Sequence, residues 1–250
     1  MIVCHKYRFI FIKTRKTAGS SVEIALSRLC QEEDIVTPLS VERGEESLRQ
    51  DEGGYGPTGH LKPVIAHKGL KEWRRLLLRG QRATYGQHMT AAELKDLVGS
   101  EIWNSYLKIT IERNPWDRAL SRYWWQKCRW EEHGRSGFPS ISEYFLWLEK
   151  HKPHWITNWG HYTIKNHIAV DRVLLFEHLN EEMHNLSKRL GVNNNVLRLP
   201  NEKAKSGFRQ DNKRYWEILN DEDRYLIEKM CWREINEFGY SFFSNVPPMC

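Results

Sequence analysis

A short apolar run, a basic turn and a helical pattern follow one another directly near the start of the chain. Residues 9–12 are apolar throughout, which is typical of a strand that is buried on both faces of a sheet. Residues 22–26 then predict a helix. The first N–H groups of a helix have no partner within it, and the helix dipole places partial positive charge there. This order therefore predicts an anion-binding turn at residues 13–21.

The side chains of this turn also suit an anion. Lys16 contributes a full positive charge, and Thr17, Ser20 and Ser21 contribute hydroxyl donors. The turn is not a Walker A loop, because that pattern needs two glycines and a lysine just before the helix, and only Gly19 is present. From this segment alone, an ordinary strand-to-helix turn capped by a serine remains an alternative.

A second candidate anion site follows the strand predicted at residues 106–111. Arg113 stands at the carboxyl end of that strand, where open α/β sheets bind ligands, and Ser121 lies about two helical turns further on. An arginine there can donate two N–H groups to one phosphate, and the serine can add a hydroxyl. The alternative is that Arg113 pairs with Glu112 or Asp117.

Strands that alternate with helices predict an α/β fold with a mainly parallel central sheet flanked by helices. Thr90 and Glu93 form a capping-box pattern, Gly99 is expected to end that helix, and residues 42–61 predict a long loop. Neither an internal repeat nor a linker composition occurs, so residues 1–250 are predicted to form one domain. Strands are predicted at 7–12, 83–87, 106–111 and 172–176, and helices at 22–30, 91–98, 180–190, 212–219 and 222–238 and from Pro115 onward.

Charge and cysteine usage limit the function classes. The formal net charge of +6 implies an affinity for anions. Arginines 74, 75, 79 and 82 surround the apolar residues 76–78, which predicts a solvated helix face and leaves nucleic-acid binding as an alternative.

The five cysteines are odd in number and lack C-x-x-C spacing, which argues against a zinc site and a disulfide framework. With no signal peptide or membrane anchor in the sequence, a cytoplasmic protein is expected.

The two anion-site segments together resemble the P-loop-like sulfotransferases. Within them, the chain is most similar to the family of the heparan sulfate 2-O- and chondroitin/dermatan carbohydrate sulfotransferases. The similarity runs in order through residues 9–21, 86–94, 113–121, 175–179 and 237–242. It implies a P-loop-like three-layer fold, the donor 3′-phosphoadenosine 5′-phosphosulfate (PAPS), its product PAP, and a hydroxyl acceptor on a carbohydrate or a small metabolite.

The resemblance also assigns roles by position. The loop that holds the 5′-phosphosulfate corresponds to residues 15–21, with Lys16 also acting in catalysis, and the pair that holds the 3′-phosphate corresponds to Arg113 and Ser121. His88 occupies the position of a catalytic base. A late loop that closes over the nucleotide would contribute Lys203, Lys205 and Ser206. The whole nucleotide set is thus Arg15, Lys16, Thr17, Ala18, Gly19, Ser20, Ser21, Arg113, Ser121, Lys203, Lys205 and Ser206.

One residue departs from the family pattern, since Arg15 stands where the family usually has proline before the loop lysine. The implied chemistry otherwise fits: Lys16 and the loop amides would stabilise charge on the leaving oxygen, and a neutral His88 imidazole would take the acceptor's proton. No metal and no nucleic-acid partner are expected. A P-loop kinase and a basic nucleic-acid-binding protein remain the alternative functions.

Overall fold

A computed structural model describes residues 1–64, 69–201 and 213–243. Five strands form the central sheet in the order β3-β1-β2-β4-β7, and β5 and β6 form a separate antiparallel pair. The strands in chain order are β1 (Ile2–Cys4), β2 (Phe9–Ile12), β3 (Ile35–Val36), β4 (Leu107–Glu112), β5 (Thr163–Ile164), β6 (His167–Ile168) and β7 (Arg172–Leu175).

The sheet is mixed, but four of its five strands point the same way, which agrees with the prediction of a mainly parallel sheet; β1 runs in the opposite direction. β2 is parallel to β4 and β4 to β7, whereas β1 is antiparallel to both β2 and β3. Four residues, 5–8, connect β1 to β2, and so short a connection permits only antiparallel pairing. The prediction of a strand at 83–87 is wrong, because in that segment Thr84 forms only an isolated bridge with Leu61.

Helices flank this sheet, and several begin at the signals that the sequence carries. The capping box of Thr90 and Glu93 opens α4, and Pro115 occupies the first turn of α5. Gly99 leaves the helical conformation, with φ of 78° and ψ of 167°, so it ends the first helical segment of α4 as expected, and a second segment continues to Ser105. α2 lies inside the segment predicted as a loop. The helices are α1 (Gly19–Ser27), α2 (Glu45–Asp51), α3 (Leu70–Arg79), α4 (Ala91–Ser105), α5 (Pro115–Glu132), α6 (Ile141–His151), α7 (Trp159–Tyr162), α8 (Leu179–Arg189), α9 (Tyr215–Ile218) and α10 (Asp221–Phe238).

Both faces of β2 are buried, which explains why its sequence is apolar throughout. Phe9 belongs to the apolar cluster that contains Val22 of α1. Its neighbour Ile10 points to the opposite face and joins the cluster that contains Leu94 of α4. The sheet is therefore the middle layer between helices, and a third cluster joins α5, α6 and α10 beside it.

The fold brings two distant cysteines together. Cys4 of β1 and Cys30 after α1 lie beside Asp34, with possible ligand atoms of all three within 4.8 Å of one another. The Asp34 carboxylate accepts hydrogen bonds from the backbone N–H groups of His5 and Gln31. A hydrogen bond with Cys4, together with burial, raises the pKa of Cys30, so that thiol keeps its proton at neutral pH. The expectation that the chain needs no metal stays a prediction.

None of the helices in the described ranges is long and apolar enough to cross a membrane.

Candidate active site

The loop between β2 and α1 has an unusual backbone conformation. Lys16 and Ala18 both adopt left-handed conformations, with φ of 62° and 60°. Each such residue costs roughly 1 kcal/mol or more, and clusters of them are typical of functional loops. Ala18 occupies the N-cap position of α1 and provides no side-chain cap, so the expected alternative of a serine-capped turn is wrong. The first N–H groups of α1 therefore donate no hydrogen bond to an N-cap side chain.

Two small residues, Gly19 and Ser20, stand at the start of α1. A Cβ on Gly19 would lie 2.8 Å from Cγ of Lys13 and 3.3 Å from the Thr14 carbonyl oxygen, so a larger residue would displace the loop. Ser20 is only 5% exposed, its hydroxyl oxygen is buried, and no described group hydrogen-bonds to it. A buried hydroxyl without a partner is costly in a folded protein, and a phosphate or sulfate oxygen would satisfy it.

Thr17 has a different contact pattern, because its hydroxyl is used inside the protein. Its Oγ1 lies 2.8 Å from Oγ1 of Thr14, and Thr14 in turn donates to the carbonyl oxygen of Ile111 on β4. Thr17 is fully buried. These bonds tie the loop to the neighbouring strand, so any contact of Thr17 with an anion would run through its backbone N–H.

Arg113 connects the two predicted anion sites. Because β2 and β4 are parallel neighbours, with Ile12 opposite Thr110, their carboxyl ends lie side by side. The Arg113 guanidinium donates through Nη1 to the Lys16 carbonyl oxygen at 3.2 Å. It also donates through Nε and Nη2 to the Asp117 carboxylate, at 2.9 Å and 2.6 Å. The Asp117 pairing that the sequence left open is thus formed, and it orients Arg113 toward the loop.

The outer face of α5 carries a row of residues directed at the same loop. Asp117, Ser121 and Trp125 are spaced by four residues and therefore share one helix face. Asp117 holds Arg113 at one end of the row, and Nζ of Lys16 lies 5.5 Å from the ring centre of Trp125 at the other. Ser121 is between them, half-buried, on the face that carries both contacts.

His88 lies beside the start of the loop. Its Nδ1 is 2.9 Å from the carbonyl oxygen of Lys13, and since a carbonyl only accepts, Nδ1 carries the proton. Nε2 then holds a lone pair, as a general base requires. Burial, followed by the charge of Lys13, lowers the pKa of His88 to about 3. The ring is therefore neutral at pH 7.

A second histidine, His161 of α7, lies next to His88. Their ring centres are 6.3 Å apart, and Nε2 of His161 is buried without a partner among the described residues. Burial and the charge of Arg15 lower the pKa of His161 to about 4. The two neutral imidazoles form one wall of the site.

The backbone of Arg15 is clamped by Asn158. The Arg15 N–H donates to Oδ1 of Asn158 and the Arg15 carbonyl accepts from Nδ2, both at 3.1 Å. The Asn158 N–H in turn donates to Glu234 of α10 at 2.9 Å, and Glu234 also accepts from Arg118 of α5. A proline has no N–H and would break the first of these bonds. This explains why a residue other than proline stands here.

The side chains of Arg15 and Arg122 make the site more positive. Arg15 is half-buried, and burial followed by the charge of Arg122 lowers its pKa. Arg122 is 8% exposed, lies 5.0 Å from the ring centre of Trp155, and has a buried Nε without a partner. Within the described ranges, neither guanidinium has a carboxylate at ion-pair distance. Burial lowers the pKa of Arg122, and the nearby Tyr144 hydroxyl partly offsets that effect. The two groups form no well-aligned hydrogen bond.

The structure therefore brings residues 13–21, His88, Arg113 and Ser121 to one edge of the sheet. Lys203, Lys205 and Ser206 fall outside the described residues, so their predicted role stays a prediction. Sequence reasoning missed Asn158, Glu234 and His161. No spacing pattern in a single sequence links Asn158 to Arg15, 143 positions away.

Comparison with known proteins gives a consistent result. A family model described as "Sulfotransferase family" matches residues 1–241 of the chain. A protein of Archaeoglobus fulgidus, named only as an uncharacterized protein, is 28% identical over 110 residues, which cover 42% of this chain and 83% of that protein. No solved structure matches the chain.

Proposed function

Since the chain belongs to the sulfotransferase family, we propose that it transfers the sulfuryl group of PAPS to a hydroxyl acceptor by in-line displacement, leaving PAP. The observation that carries this proposal is the contact between Arg113 and the Lys16 carbonyl. It joins two anion-binding segments at one sheet edge, and a nucleotide with phosphates at both its 3′ and 5′ positions needs two such segments.

The residues present fit this donor. The buried, unpartnered hydroxyl of Ser20 and the uncapped N-terminus of α1 would hold the 5′-phosphosulfate, together with Lys16 and Ser21. Arg113 and Ser121 would hold the 3′-phosphate, with Asp117 keeping the guanidinium in place. PAPS supplies the activated sulfuryl group when bound. Lys16 and the loop amides supply positive charge where the leaving oxygen becomes negative.

His88 would act as the general base. The Lys13 carbonyl fixes the proton on Nδ1, so Nε2 can accept the proton of an acceptor hydroxyl. Burial, followed by the charges of Lys13 and Arg15, lowers the pKa of His88 to about 3 and makes it a weak base as long as no anion is bound. An anion bound in the loop would offset those charges and raise the basicity of His88 as the site fills.

The acceptor is proposed to be a carbohydrate or another small hydroxyl compound. Trp155 and the two histidines offer flat surfaces for a ring, and Arg122 beside Trp155 offers hydrogen-bond donors. We further propose that residues 1–250 form one domain of the P-loop-like type and that the transfer needs no metal.

Ligand-induced stabilisation tests the donor assignment. We expect PAP to raise the melting temperature clearly more than ATP with Mg²⁺ does, because only PAP carries a phosphate on both positions. Ser20→Ala and Arg113→Ala should reduce the shift, whereas Arg43→Ala, on an exposed pair with Glu132, should leave it unchanged. A larger shift with ATP and Mg²⁺ would favour a kinase and overturn the proposal.

Transfer itself is measured with ³⁵S-labelled PAPS and a panel of sugars, phenols and alcohols. Labelled product that requires His88 and Lys16 would support the assignment. PAP binding combined with transfer that is unchanged in His88→Ala would keep the donor site and remove the base.

A further inference from the structure

The helix α3 exposes an apolar face to solvent. None of its ten residues is buried. Leu70 is 90% exposed and Leu77 is 78% exposed, and Trp73 is also exposed. At 100° per residue these three side chains fall on one side of the helix, with Leu76 beside them. Globular proteins usually bury such side chains, so the exposure of Leu70 and Leu77 indicates a binding surface.

The other side of α3 is mainly basic, with one exposed apolar residue, Leu78, among the cations. Lys71, Arg75 and Arg79 lie opposite the apolar side chains, and Arg74 lies at the boundary. Glu72 is the only acidic residue of the helix, and it pairs with Lys62 at 2.8 Å. The helix therefore has an apolar stripe bordered by four cations.

The residues before and after α3 are hydrogen-bonded to each other. Lys62 donates its N–H to the Ala83 carbonyl at 2.8 Å, Leu61 bridges to Thr84, and Tyr85 donates to the His60 carbonyl. These bonds hold residues 60–62 against residues 83–85, on either side of α3 in the sequence. Leu61 and Val64, both about half exposed, add apolar side chains in the segment before α3.

We propose that α3 binds the surface of an anionic lipid bilayer, with Leu70, Trp73 and Leu77 inserted among the lipids and the basic residues on the headgroups. The charge complementarity selects this occupant. An apolar stripe bordered by Lys and Arg is the pattern of helices that lie in the membrane interface. A nucleic acid would use the cations but would leave the leucines in water. The inference is independent of the sulfuryl-transfer proposal, because it uses none of the site residues.

The chain offers a matched pair of variants for the test. Leu77→Asp places a charge in the stripe, and Val41→Asp places the same charge at another apolar position that is 77% exposed. Because both side chains are exposed, neither variant should lower the melting temperature by more than a few degrees. Arg75→Glu with Arg79→Glu tests the basic side separately.

The experiment is co-sedimentation of the full chain with vesicles of phosphatidylcholine alone or of phosphatidylcholine with phosphatidylglycerol. We expect binding to the anionic vesicles that weakens with added salt, falls about tenfold or more in Leu77→Asp and in the double variant, and is unchanged in Val41→Asp. Equal binding by Leu77→Asp and Val41→Asp would overturn the proposal. Absence of binding by the unmodified chain would also overturn it. This includes the case in which size-exclusion chromatography shows a dimer that Leu77→Asp separates into monomers.

Discussion

Replacing Arg15 with proline tests how the loop is held. Proline removes the N–H that Asn158 accepts at 3.1 Å, while the second bond, from Asn158 to the Arg15 carbonyl, can remain. Asn158 is 1% exposed, so its Oδ1 would be left buried without that donor. Leaving a buried acceptor unsatisfied costs about 1–3 kcal/mol. For a chain of this length, that corresponds to a fall of roughly 2–12 °C in melting temperature.

The matched control is Arg15→Gln, which removes the charge but keeps the N–H. Thermal unfolding of both variants, with and without PAP, separates the two contributions of Arg15. We expect Arg15→Pro to be the less stable, and we expect its effect to shrink when Asn158 is already alanine, because the same bond cannot be lost twice. Equal melting temperatures for Arg15→Pro and Arg15→Gln would refute the reasoning that the N–H matters here.

Four further outcomes are expected. His88→Ala should lower kcat about a hundredfold while PAP affinity stays within about twofold, and a large loss of affinity in calorimetry would make His88 a binding residue instead. Arg113→Ala should weaken PAP about tenfold or more, and adenosine 5′-phosphate much less; equal weakening of both would remove the 3′-phosphate assignment. Ser20→Ala should lower PAP affinity without lowering the melting temperature of the free protein, since the hydroxyl has no described partner; marked destabilisation would contradict this. The pKa of His88 is lowered from 6.5 to about 3, so the unfolded chain binds a proton at this histidine before the folded chain does. The contribution of His88 to stability is therefore full above pH 6.5 and is lost as the pH falls toward 3. His88→Gln should reduce the slope of melting temperature against pH between 6.5 and 3, and an unchanged slope would contradict the assignment.

Local signals in the sequence were enough to predict the elements that build the site. The apolar run at 9–12 forms β2, and the strand predicted at 106–111 is confirmed as β4 with a shift of one residue. Thr90 and Pro115 open the helices expected of them, because capping depends on residues close in sequence. Since parallel strands share a carboxyl edge, the meeting of Lys16 and Arg113 also followed from the order of the elements.

Contacts between distant parts of the chain were beyond such signals. β1 and β3 have three and two residues, too few to show a period, and they form because β1 pairs with β2 on one side and with β3 on the other. The clamp on Arg15 depends on Asn158, which enters the site from a segment without any recognisable motif. The position of His161 beside His88 likewise depends on packing rather than on spacing.

The hydrogen bonds from Arg15 to Asn158 and from Asn158 to Glu234 have a consequence for affinity. They anchor the strained loop to the last long helix, and Glu234 is almost completely buried. The loss of conformational entropy on ordering the loop is therefore incurred when the protein folds, not when a ligand arrives. The nucleotide would meet a preorganised loop, and the cost of ordering that loop would not be subtracted from its binding energy.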